Sequence, residues 1–162
     1  MPRMEKGVLE SFLEEPHVGV LATLRRDGLP YTVPVWWLYD GSAFWLTGTT
    51  SRIWCKQLVK DSRCSLCIEA LAPVAGHVGI DGKAQSRELP DFDIWPISLS
   101  LAKKYVGRGN SENDKAVGDF FANMRTEPRM LFRLEPIVWR AIDMRVYRGK
   151  RADREFQDRG KG

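Results

Sequence analysis

The residues best equipped for chemistry lie between Pro34 and Lys56. Thr47-Gly48-Thr49-Thr50-Ser51-Arg52 gathers hydroxyl and guanidinium donors in one short run, and Lys56 follows Arg52 by about one helical turn. Such donors suit a phosphate, because residues four apart on a helix share a face and charge-assisted hydrogen bonds are the strong ones. A helix that starts here adds unpaired backbone N–H groups and the positive end of its macrodipole. Just upstream, Pro34, Val35, Trp36 and Trp37 offer a flat apolar wall. Together the two stretches suit a planar ring with a phosphate tail. The same residues also read as a strand, a capped helix and ordinary surface cations, and spacing alone leaves both readings open.

The surrounding pattern specifies how these groups are positioned. Residues 5–14 place Val8, Leu9, Phe12 and Leu13 at helical spacing, and Pro16 ends that helix. Residues 17–24 alternate as a strand, Arg26-Asp27-Gly28 turns the chain, and residues 29–39 return as a second strand. In it Tyr31, Val33, Val35, Trp37 and Tyr39 face one way and Thr32, Pro34, Trp36 and Leu38 the other. Trp36, on the Pro34 face, is therefore the expected ring contact. Pro34 has no N–H to give, which predicts an edge, a bulge or a ligand-facing gap. Asp40-Gly41 leads to a strand over 43–47; the helix with Arg52 and Lys56 follows, then strands over 64–70 and 77–88. A loop over 91–96, helices over 97–106 and 115–124, and extended segments over 130–134 and 137–147 complete the chain. Six antiparallel strands with peripheral helices predict a mainly β fold, a closed or nearly closed barrel.

Length and composition narrow the function classes. At 162 residues, with 43% hydrophobic and 28% charged, the chain is a single domain able to bury a core, expected over residues 1–147. The net charge of +4 comes largely from a basic C-terminal tail, residues 148–162, with Arg145 just before it. No aromatic ladder accompanies that tail, so it reads as a solvated segment and no nucleic-acid partner is expected. No apolar run is long enough to span a membrane and no secretion signal opens the chain, so no membrane association is expected. Three cysteines, an odd number, point to reduced thiols and a cytoplasmic location. Cys64 and Cys67 have the C-x-x-C spacing, but on a strand they face opposite ways, and no second pair completes a metal site. His17 and His77, the two histidines, each begin a strand, and neither forms a catalytic constellation with a nucleophile. The catalytic residues are thus left unassigned.

The order and spacing of several short pieces carry a resemblance over about residues 8–144. They are Val18-Gly-Val-Leu-Ala-Thr-Leu24, Asp27-Gly-Leu-Pro30, Pro34-Val-Trp-Trp37, Asp40-Gly41, Leu46-Thr47, Leu58 with Asp61-Ser-Arg-Cys-Ser-Leu66, Gly82-Lys-Ala84, and Glu135-Pro136 with Trp139. In these the chain resembles the pyridoxamine 5'-phosphate oxidase-like superfamily of FMN-binding split barrels, including its flavin and deazaflavin (F420) oxidoreductase branches. The resemblance implies a six-stranded antiparallel split β-barrel, a homodimer, and cofactor sites at the subunit interface. It implies that FMN, or alternatively F420, binds at Pro34, Val35, Trp36, Thr47, Thr49, Thr50, Ser51, Arg52 and Lys56. It also implies hydride or electron transfer to or from a small planar substrate, with a non-catalytic flavin- or haem-binding module as the other reading. Two positions depart from the superfamily pattern, which commonly has Lys and Asn where this chain has Trp54 and Gln57. The Arg133-Leu-Glu-Pro136 run is similar to the end of the true oxidase, but the strand beyond it and the short chain argue against authentic pyridoxamine phosphate oxidation.

Overall fold

Alternating apolar residues build seven strands into one antiparallel sheet in a computed structural model that describes residues 2–147. In chain order the elements are α1 (Lys6–Glu14), β1 (Gly19–Leu24), β2 (Pro30–Val35), β3 (Trp37–Tyr39), β4 (Phe44–Thr49), α2 (Ile53–Lys60) and β5 (Arg63–Ala70). Then come β6 (Gly76–Arg87), α3 (Trp95–Ala102), α4 (Asp114–Met124) and β7 (Arg129–Asp143). A π-helical segment, Lys103–Gly107, extends α3, and a short 3-10 turn, Met144–Tyr147, ends the described chain. The basic tail over 148–162 lies outside the described residues.

The strand order is β2-β1-β5-β6-β7-β4-β3. Its two edges, β2 and β3, are consecutive in sequence and separated only by Trp36. The sheet must therefore curl until its edges meet, which makes a split barrel. The sheet has seven strands where six were expected, and one predicted strand, 29–39, leaves β1 after Val35 and joins β4 from Trp37 onward. Pro34 lies on an edge strand, one of the placements expected, opposite Val20 in the β1–β2 ladder, and the break itself falls two residues on, at Trp36. At the other end the two predicted segments around Glu135-Pro136 are one strand, because a bulge opposite Asp81/Gly82 of β6, in which Ile137 of β7 has no partner, absorbs the proline.

Each strand sends one set of side chains inward. Leu21, Val35, Trp37, Phe44, Leu46, Leu66, Ile80 and Phe132 form the barrel interior, which α1 closes with Phe12 and Leu13. A second core lies outside the sheet, where Trp45 and Leu131 pack with Trp36 under Leu101 and Tyr105 of the α3 region. Helices thus cover the β3–β4 end of the outer face. The rest of that face, across β1, β5 and the middle of β7, carries exposed Val20 and Val138 and, among the described residues, no helix.

Candidate functional site

The interruption at Trp36 is held open by one phenol. Tyr105, 6% exposed, accepts a hydrogen bond from Trp37 N at 3.1 Å, and its Oη lies within donating distance of the carbonyls of His17 and Trp37. Burial pushes its ionisation up, so it stays a neutral donor. Trp36 stacks on the Tyr105 ring with centroids 4.8 Å apart and planes 3° from parallel, and Phe120 of α4 tilts against Trp36 with centroids 5.3 Å apart. Trp37 faces the opposite way and is fully buried.

The outer face at the split collects the predicted groups. In the β3–β4 ladder Trp37 pairs with Leu46, so Trp36 comes opposite Thr47 one step further on. Thr47 and Thr49 alternate outward from β4, while Gly48 between them turns inward against Trp54 and Cys55. Thr49 Oγ1 and Ser51 Oγ are 3.0 Å apart, and the backbone is fixed by Thr50 N donating to Pro128 O and Arg52 N donating to Thr49 O. Arg52 is the N-cap of α2 in an extended conformation, and no side chain caps the helix. Thr50, Ser51, Arg52 and Lys56 are exposed, and among the described residues neither cation is ion-paired. Pro34 is exposed on the outer face of β2, whereas the Val35 side chain points into the barrel, leaving only its backbone to face a ligand.

Two departures from the superfamily pattern prove to be internal. Trp54 is 3% exposed and packs on Phe132 beneath Gly48, so it does not close the corner. Gln57 turns toward β1, where its Oε1 accepts a 2.6 Å hydrogen bond from Thr23. Both anchor α2 to the barrel.

Sequence reasoning missed Arg129. This residue opens β7 directly opposite Thr49, and its Nη1 lies 3.4 Å from Thr47 Oγ1. Its side chain is only 12% exposed and pairs with Glu127, yet its Nε is buried with no partner among the described residues. An orphaned guanidinium N–H beside two threonine hydroxyls is the strongest sign that an acceptor belongs there. The only signal in the sequence was an arginine following Glu-Pro, which becomes informative once β7 is known to lie beside β4.

Cys64 is buried and Cys67 exposed, on opposite faces of β5. Burial pushes the Cys55 and Cys64 thiols up to about 12, so both behave as inert core groups. Among the described residues no group of three His, Cys, Asp or Glu side chains could hold a metal, and no helix is long and apolar enough to cross a membrane.

A curled antiparallel sheet with adjacent edges at one segment, closed by an N-terminal helix, defines the split-barrel class. The chain belongs to the pyridoxamine 5'-phosphate oxidase family, whose model matches residues 6–143. Among solved structures it is similar to a conserved hypothetical protein from Mycobacterium tuberculosis, at 23% identity and TM-score 0.69, covering 88% of this chain and 86% of that one. It is also similar to an F420 reductase, at 22% identity and TM-score 0.60 with coverages of 81% and 94%. A third is the haem storage protein HutZ from Vibrio cholerae, at 16% identity and TM-score 0.61 with coverages of 87% and 95%. At these identities the likeness establishes the fold. No curated protein matches the chain.

Proposed function

We propose that this protein is a homodimeric, flavin-binding oxidoreductase that takes FMN, with F420 as the alternative cofactor, and a small planar substrate. The observation that carries the proposal is the outward cluster of Thr47, Thr49, Ser51 and Arg129, with its unpartnered Arg129 Nε, next to exposed Arg52 and Lys56. These groups fit a phosphate: three hydroxyls, three cations and an uncapped helix start converge on one corner. Pro34 and the backbone around Trp36 would face the ring, with Trp36 kept rigid by its stack on Tyr105.

When bound, the flavin supplies the hydride or electron transfer. The chain's own residues bind, orient and shield. Thr49, Ser51, Arg52, Lys56 and Arg129 fix the anionic tail, and Tyr105 fixes the strand break so that the backbone at the split keeps one geometry. His17 and His77 serve no acid-base role in this scheme, which agrees with their placement: His17 is packed on Phe12 and His77 begins β6 opposite Ile142.

The uncovered sheet face supports the dimer. Pro34, Val20, Cys67 and Arg140 lie in one cross-strand row, and Thr32, Ala22, Ser65, Asp81 and Val138 in the next. Val20 is 48% exposed and Val138 43%, and a second copy seated there would reach Pro34 and the edge of the phosphate corner. Asp81 is held down at about 2 by the Arg140 guanidinium and the Ser65 hydroxyl, so this pair remains ionic and gives the face a fixed polar mark.

The test is spectroscopic. Purified protein should carry, or take up, FMN with quenched fluorescence, and Arg52→Ala should weaken that binding by about 1.5–3 kcal/mol, or roughly ten- to a hundredfold. A protein with no affinity for FMN or F420 would sink the proposal. A Soret band abolished by changing His17 or His77 would put the non-catalytic haem-binding reading in its place.

A further inference from the structure

A deep cleft lies away from the phosphate corner. It has a volume of about 1020 Å³ and opens between α1, the β3–β4 hairpin and the π-helical segment after α3. Leu9, Leu13, Leu38, Tyr39 and Trp139 supply apolar walls. No residue from Thr47 to Lys56 lines it. The hairpin end of β4, where it lies, is roughly 17 Å along the strand from Thr49.

Three features single out one side of this cleft. Lys103, Lys104 and Arg108 all come from the π-helical segment and its end, an arrangement uncommon in helices and frequent at binding sites. Arg108 closes that segment in a left-handed conformation, φ 51°, held by its own Nε donating to Tyr105 O. A non-glycine residue there stores strain that ordinary helix termination by glycine would avoid. Lys104 is the most enclosed of the three cations. Its Nζ donates to Leu13 O at 2.9 Å and stands 3.5 Å from the centre of the Trp37 ring. Among the described residues it has no carboxylate within ion-pair distance.

Glu10 and Glu14 of α1 and Glu15 just after it also line the cleft, and Glu15 lies near enough to Lys104 to favour its charged form, so sign alone does not choose a ligand. Depth does. Glu10 and Glu14 are exposed and keep their water, whereas Lys104 is half-buried, so an anion arriving beside it would stabilise its charged form more than it would at an exposed cation. We propose that the cleft is a second ligand site, separate from the cofactor corner, for an amphipathic molecule with an apolar body against Leu13, Leu38 and Trp139 and an anionic head group at Lys104 and Arg108.

Anilinonaphthalene sulfonate, which has that chemistry, is the probe, displaced in turn by decanoate and by decanol from the full-length protein with FMN present in excess. Decanoate should displace the probe about tenfold better than decanol. Lys104→Met should abolish the preference and leave FMN affinity unchanged. Leu38→Trp, which fills the cleft while keeping Lys104, should block both competitors, and a circular dichroism melt reports that each variant is folded. Equal displacement by acid and alcohol, a preference that survives Lys104→Met, or probe that leaves as FMN is titrated in would each overturn the proposal. Lack of binding to both FMN and F420 would leave the cleft proposal standing and reject the cofactor reading.

Discussion

Arg129 shows how the value of a side chain depends on what is left around it. Its pairing with Glu127 satisfies part of the guanidinium, and the unpartnered Nε points to a group still to arrive. Arg129→Met should weaken FMN binding by roughly ten- to a hundredfold in a fluorescence titration, about 1.5–3 kcal/mol. Making the change together with Glu127→Gln separates lost cofactor contact from the penalty of a stranded carboxylate. Unchanged affinity in the double variant would remove Arg129 from the site. Lys104 gives a second residue-scale expectation, with a definite sign. Burial pushes it down to about 7 from 10.5, against the opposing pull of Glu15. Between those values the unfolded chain binds more protons than the folded one, so stability rises as pH rises from about 7 toward 10.5. The melting temperature of the natural protein, compared with Lys104→Met, should therefore climb between pH values of about 7 and 8.5. That range stays below the titration of unfolded Cys55 and Cys64, which would act in the reverse direction. A flat difference across it would show that Lys104 keeps its ordinary ionisation.

At the scale of elements, α2 matters through its contact with β4. Gly48 lets Trp54 and Cys55 approach the strand: an added Cβ would collide with Cys55 Sγ and lie 2.7 Å from a Trp54 ring atom. Gly48→Ala should therefore cost about 1–3 kcal/mol in urea unfolding and also reduce FMN affinity, since displacing α2 moves the helix start that carries Arg52. A stable variant with full affinity would show that α2 has slack at this contact. The elements themselves were readable because their periodicities are strong, as in the helix with Phe12 and Leu13 and the strand with Leu66 and Ile68. The split of residues 29–39 was not. Nothing local distinguishes Trp36 from its neighbours, and the break exists because Tyr105, about seventy residues later, takes the Trp37 N–H. The continuity of β7 was hidden for a related reason, since Pro136 is accommodated by a bulge in which Ile137 of β7 has no partner on β6.

For the whole molecule the sheet face that no described helix covers is the surface proposed to meet a second copy. Its rows through Val20 and Val138 combine exposed apolar side chains with the fixed Asp81–Arg140 pair, a pattern suited to another copy of the same chain. Val20→Asp should yield a monomer by light scattering and lower FMN affinity at the same time, because each cofactor site would lose its covering subunit. A variant that becomes monomeric yet binds FMN normally would place the whole site within one chain. A dimer unaffected by the charge would move the interface elsewhere.

By itself the sequence determined the fold class and the inward and outward alternation of its strands, and it pointed to Thr49, Ser51, Arg52 and Lys56 as the proposed corner donors. These follow from periodicity and from neighbours within a turn or two, which short-range chemistry dictates. Only the tertiary structure decided that Trp54 and Gln57 face the barrel, that Arg129 lies beside Thr47, and that Lys104 rests on Trp37. Those contacts join residues brought together by the curl of the sheet, where burial and register act across the whole chain and leave no trace in local spacing.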